Sequence, residues 1–133
     1  MERRSLLDSF ALLAFLNREK GYEKVRLLLE ASQQSKEPLL MNEINIGEVY
    51  YIIGKTTSVE RAEEFLHRLE MLPIKPIPNS FADVVDAARI KARFRISCAD
   101  AFAVATASRM NAVIVTADSE FQQVEHLVTI DWL

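Results

Sequence analysis

The sequence predicts an α/β fold, a three-layer α/β/α arrangement around a mostly parallel central sheet. Three observations carry this. Short apolar runs of strand length alternate with longer segments of helical period, an order that favours a parallel sheet covered on both faces. Only 3 Gly and 4 Pro occur among 133 residues, so loops are short and helix dominates. Half the residues are hydrophobic and 26% are charged, a globular balance for a chain able to bury a real core.

The elements follow in order. Arg4-Ser5-Leu6-Leu7 reads as a strand ending at Asp8. Ser9 to Leu16 is an apolar helix stopping before Asn17, and Tyr22 to Gln33 is a second, with Val25, Leu28 and Leu29 on one face. Pro38 to Met41 is a buried strand, and Asn42 to Ile53 switches to helical period. Ser58 caps a helix running to Met71, before Pro73. Ile74 to Ile77, lying between prolines, suits a sheet edge. Asn79 is expected to cap a helix from Ser80 to Arg93, and Ser97 one through Met110. Ala112 to Thr116 is the clearest strand, followed by a helical turn after Asp118 and a last strand over Val128-Thr129-Ile130. No repeat or linker divides the chain, so residues 1–133 are expected to form one domain.

A net charge of −3 argues against nucleic-acid binding by bulk electrostatics, so any polyanion must meet a local basic patch or a bound cation. A single cysteine, Cys98, excludes an internal disulfide, and no Cys or His cluster has zinc spacing; both suit a reducing cytoplasm. The N-terminal apolar run is too short and too acidic for a signal peptide, and no stretch is fit to span a membrane.

Four acids stand out. Asp8 follows the first strand, Asp118 lies just past the Ala112–Thr116 strand, Glu48 lies in the helix after the second strand, and Asp100 opens a helix. Ligands of open α/β sheets gather beyond the carboxyl ends of strands. Taken singly, Asp8 and Asp118 read as helix N-caps, and Asp100 has capping-box spacing from Ser97. Glu48 and Asp100 resist such readings. Ile44 and Ile52, one turn to either side, place Glu48 on a buried stripe. From Cys98 to Ala107, Asp100 is the only charged residue of a helix apolar nearly all round. A buried carboxylate needs a partner, and neither acid has a basic residue near it on its own helix face. Hard oxygens without Cys or His select Mg²⁺ or Mn²⁺.

These segments resemble the PIN-domain nucleases, in particular the VapC toxins of toxin–antitoxin operons. The resemblance lies in Leu6-Leu7-Asp8-Ser9, Asn45-Ile46-Gly47-Glu48-Val49-Tyr50-Tyr51, Ser97-Cys98-Ala99-Asp100-Ala101-Phe102 and Val115-Thr116-Ala117-Asp118-Ser119-Glu120-Phe121, four motifs in order across nearly the whole chain. It implies that Asp8, Glu48, Asp100 and Asp118 bind metal and that the Thr116 hydroxyl supports the site. It further implies hydrolysis of RNA phosphodiesters to 5′-phosphate and 3′-hydroxyl ends, a small VapB-like antitoxin, and a homodimer. Apolar residues on the Tyr22–Leu29 and Ser58–Met71 helices could serve that dimer or the core. Phe10 stands where relatives often carry a polar residue, leaving Ser9 as the nearby polar helper. Glu43 is a second acid near Glu48, which holds the motif position. Glu120 reads as a solvated turn residue that could reach metal through water.

Weaker signals read as ordinary structure. Arg89, Lys91, Arg93 and Arg95 could steer phosphate but read first as a solvated helix end. Gly54-Lys55-Thr56 lacks phosphate-loop spacing. His67 and His126 read as surface residues, Cys98 as a small buried hydrophobe, and Trp132 as packing for the last strand. Two rival functions remain: a receiver-like metal-binding signalling module, and a catalytically inactive RNA- or protein-binding domain.

Overall fold

The computed structural model describes residues 3–133. Five strands, β1 (Ser5–Leu7), β2 (Leu39–Asn42), β3 (Ile74–Ile77), β4 (Val113–Thr116) and β5 (Ile130–Trp132), form one sheet in the order β3-β2-β1-β4-β5. Every neighbouring pair is parallel. Pro76 cannot donate to a ladder, and β3 duly lies at an edge.

Successive strand side chains point to opposite faces of the sheet, and the core divides accordingly. Leu6, Leu40 and Ile114 pack on one face beneath α5 (Phe81–Arg93) and α6 (Cys98–Met110), with Phe121 and Val124. Their neighbours Leu7, Met41 and Val115 pack on the other face, against α1 (Ser9–Leu16), α2 (Tyr22–Ser35), α3 (Glu43–Thr56) and α4 (Val59–Glu70). This is the three-layer α/β/α fold: the inner strands β2, β1 and β4 are covered from both sides, whereas Lys75 and Pro76 of the edge strand β3 are exposed and β5 is half-buried. In α6 every residue from Ala99 to Ala107 is buried, and its alanines let it lie close to the sheet and to neighbouring helices.

Several local expectations are corrected. Ser80, not Asn79, caps α5: its hydroxyl accepts from the Asp83 N–H, and Asp83 returns the bond to the Ser80 N–H. Asn79 instead pairs its amide with that of Asn42, which caps α3. The last strand is Ile130–Trp132, because Val128 closes the preceding turn through its N–H to the Val124 carbonyl. Cys98 is exposed, since it is the first residue of α6 and faces away from the core. On α3 the fully buried positions are Asn45 and Val49. Ile44 is 40% exposed, so Glu48 sits at the edge of the buried stripe and is half-buried. Among the described residues no helix is long and apolar enough to cross a membrane.

Candidate metal centre

The sheet changes direction between β1 and β4. The chain proceeds outward from β1 to β2 and β3, then returns to lay β4 on the other side of β1. A crevice beyond the carboxyl ends of the strands opens at such a switch point. Asp8 leaves β1 there, and Thr116 ends β4.

Asp8 is fully buried. As N-cap of α1, its Oδ1 accepts from the Ala11 N–H at 2.8 Å, and its Oδ2 accepts from the Thr116 hydroxyl at 2.5 Å. The same hydroxyl accepts from the Asp118 N–H at 2.9 Å. Thr116 therefore fixes the loop that carries Asp118 against Asp8. Asp118 in turn caps a 3₁₀ helix, Ser119–Val124, through the Glu120 N–H. The capping role expected of Asp8 and Asp118 and their place in the acidic site thus coexist, because a carboxylate has lone pairs left after one capping bond.

Asp100 departs from the simple capping box. Its N–H donates to the Ser97 hydroxyl at 3.1 Å, but the Ser97 N–H donates to Glu120 at 3.2 Å. Glu120 takes the reciprocal place and frees the Asp100 carboxyl for the crevice. Asp100 is 3% exposed, and its Oδ2 is buried without a hydrogen-bond partner. Oxygens of Asp100, Asp118 and Glu120 all lie within 4.8 Å of one another.

Burial is the largest influence on both buried acids. It pushes Asp8 up from 3.8 to about 7; the bonds from Thr116 and Ala11 pull the other way, and the charges of Asp118 and Glu48 add to the rise. Asp100 rises to about 9 through burial, hydrogen bonding with Glu120 and Asp118, and the charges of Asp118 and Asp8. Among the described residues no Lys, Arg or His forms an ion pair with Asp8, Glu48, Asp100, Asp118 or Glu120. An orphaned buried carboxylate oxygen among mutually repelling acids is the donor set of a hard divalent cation. The residues present fit Mg²⁺ or Mn²⁺.

Of the sequence-derived residues, Asp100 and Asp118 come together directly, Asp8 joins through Thr116, and Glu48 is near enough for its charge to act on Asp8. Glu43 is exposed on α3. Glu120 belongs to the cluster, contrary to its reading as a solvated turn residue. Its signal was the Asp118-Ser119-Glu120 spacing: a 3₁₀ turn begun at a strand end can present both acids to one crevice. The basic run lies outside the cluster. Arg89 pairs with Asp86, Lys91 donates to the Ile96 carbonyl, Arg93 lies over Phe94, and Arg95 is exposed.

The PIN domain family model matches residues 5–127. The chain belongs to the PIN domain family. No match was found among curated proteins. Among solved structures, this PIN domain resembles a chain of DNA-bound VapBC from Salmonella typhimurium, with a TM-score of 0.73, 14% identity and 98% of each chain covered. VapBC2 from Rickettsia felis, bound to a promoter DNA fragment, also gives 0.73, at 17% identity over 97% of this chain and 98% of the other. VapC20 of Mycobacterium tuberculosis, described as a sarcin–ricin-loop-cleaving toxin, gives 0.66 at 12% identity over 83% and 86%. The family and the strand order β3-β2-β1-β4-β5 both stand against a receiver-like module, whose order is 2-1-3-4-5.

Proposed function

We propose that this PIN domain is a metal-dependent endoribonuclease of the VapC type, the toxin of a toxin–antitoxin pair. The observation that carries the reading is the convergence of carboxylates at the β1–β4 switch point with a buried oxygen on Asp100 left unpartnered. Asp8, Glu48, Asp100 and Asp118 would hold Mg²⁺ or Mn²⁺, with Glu120 as a fifth acid, in number enough for one ion or two. The ion would lower the pKa of a water and steady negative charge on the phosphoryl oxygens of RNA.

The chain's own residues prepare that chemistry. Thr116 donates to Asp8 and accepts from the Asp118 backbone, so both carboxylates are oriented in advance. Glu120 occupies the Ser97 N–H and leaves Asp100 free to ligate. The first turn of α6, where Asp100 lies, presents the positive end of a helix dipole to the anionic crevice. Burial of Asp8 and Asp100 excludes water from behind the site, so their charges act in a low dielectric.

The solved VapBC relatives are toxin–antitoxin complexes and support a small VapB-like antitoxin as partner; the reading further takes the toxin to be a homodimer that acts in the cytoplasm. The test is titration of Mn²⁺ into the purified protein with RNA cleavage as the readout. Cleavage should require the metal and vanish in Asp100→Asn while circular dichroism stays native. Undiminished cleavage by clean Asp100→Asn protein would contradict the assignment, and a wild-type protein inert at every metal concentration would favour an inactive RNA- or protein-binding domain.

A further inference from the structure

Behind the acids lies a polar bridge that none of the capping or metal roles uses. Asn45 stands three residues before Glu48 on α3 and is fully buried. Its Nδ2 donates to the Ser9 hydroxyl at 3.3 Å and to the Ala99 carbonyl at 3.2 Å. The Ser9 hydroxyl donates in turn to the Asn45 carbonyl at 3.2 Å. Ser9 directly follows Asp8, and Ala99 directly precedes Asp100. One carboxamide thus ties α1, α3 and α6 together at the points where each carries its acid.

The donor assignment follows from the partners. A flipped amide would set Oδ1 against the Ala99 carbonyl, acceptor facing acceptor. In the orientation present, Asn45 Oδ1 is buried with no partner. A buried acceptor without a donor opposes folding, and an apolar side chain of similar volume would avoid it. Asn45 is therefore a poor choice for stability alone and a good one for fixing three helices in register.

We propose that Asn45 is a positioning residue, which sets the spacing of Asp8, Glu48 and Asp100 so that they can share a divalent cation. The proposal rests on the reading of these acids as an ion site. Its test is calorimetric titration of Mn²⁺, without RNA, into the wild type, Asn45→Ala, Ser9→Ala and Val104→Ala. Val104 is a buried core residue of α6 with an apolar side chain outside the bridge, so it reports what simple destabilisation does.

Asn45→Ala should bind Mn²⁺ about tenfold more weakly, the lower end of the effect of removing an outer partner of metal ligands, because Asn45 holds the residues beside Asp8 and Asp100 and not the carboxylates themselves. Ser9→Ala should lose less, because the bond to Ala99 survives. Val104→Ala should melt earlier and bind as tightly as wild type. Unchanged affinity in folded Asn45→Ala, or an equal loss in Val104→Ala, overturns the positioning role while leaving the ion site intact. If Asn45→Ala does not fold, Ser9→Ala decides: unchanged affinity there overturns the role. Wild-type protein that binds no Mn²⁺ removes the ion site, and the positioning role with it.

Discussion

The metal-free protein should become less stable as pH rises from 5 to 8. The unfolded Asp8 carboxyl ionises near 3.8, whereas the folded one holds its proton to about 7. A folded pKa above the unfolded one means that the folded state binds the extra proton. Its stabilising effect is complete below pH 3.8 and is lost as pH climbs through 7. At about 1.4 kcal/mol per pKa unit, full ionisation of Asp8 costs roughly 4 kcal/mol, of which roughly 3 kcal/mol accrues between pH 5 and 8. For a domain of this size that corresponds to a fall of about 10 °C in the thermal midpoint. Asp100, raised to about 9, adds to the fall in the same direction. Glu23 and Asp83 are shifted downward by hydrogen bonds to Arg26 and Ser80, so they ionise below this window and add no slope within it. The assay is thermal denaturation in chelator at pH 5, 6, 7 and 8, repeated with saturating Mg²⁺ or Mn²⁺. The ion should recover most of the loss at pH 8 and little at pH 5, since it binds the ionised acids. Asp8→Asn should flatten the metal-free curve in part, and Asp8→Asn with Asp100→Asn almost fully. A metal-free midpoint that stays level or rises between pH 5 and 8 would refute the electrostatic account.

Three further outcomes follow from single contacts. Thr116→Val keeps the shape of a buried residue but strands the Asp118 N–H and one oxygen of Asp8; the expected loss is about 1–3 kcal/mol by urea denaturation, with weaker Mn²⁺ binding besides. Glu120→Gln should weaken Mn²⁺ binding about tenfold by calorimetry, and unchanged affinity would return Glu120 to a purely capping role. Cys98, exposed at the start of α6, should react stoichiometrically with a thiol reagent in the native state, which a buried thiol would resist.

The parts of the fold legible in the sequence were those where one physical signal acted alone. Ser9–Leu16 and the Ala112–Thr116 region are unbroken apolar runs with clear stops, and both were placed to within a residue. Misreadings arose where two roles competed for a residue. Asn79 is a good N-cap by type, but its amide pairs with Asn42, and Ser80 with Asp83 closes the capping box instead. Ile44 looks like a core residue by helical spacing, yet α3 turns that edge outward. Asp100 is legible because an apolar helix leaves an acid few alternatives, whereas Asp118, an N-cap when read singly, stands out only through the Val115–Phe121 motif. Glu120 is not legible, because its part depends on taking the Ser97 N–H from Asp100, a contact between residues 23 apart in sequence.

That exchange bears on how the site is kept ready. A capping Asp100 would spend its carboxylate on the Ser97 N–H, gain local helix stability and leave the crevice with one acid fewer. With Glu120 capping in its place, α6 keeps both bonds of a box while Asp100 is buried, pushed up to about 9 chiefly by that burial, and left with one oxygen short of a partner. The cost is concentrated on one carboxyl that a cation can relieve, and the repulsion among these acids would strengthen their hold on an ion. If this reasoning is right, Glu120→Gln, which can still accept from the Ser97 N–H, should leave α6 capped and the metal-free protein more stable at pH 8, even as it binds Mn²⁺ less well. Stability and ion affinity moving in opposite directions on one substitution is the signature of a strained ligand set; a variant that lost stability while keeping its affinity would show that Glu120 serves the fold alone.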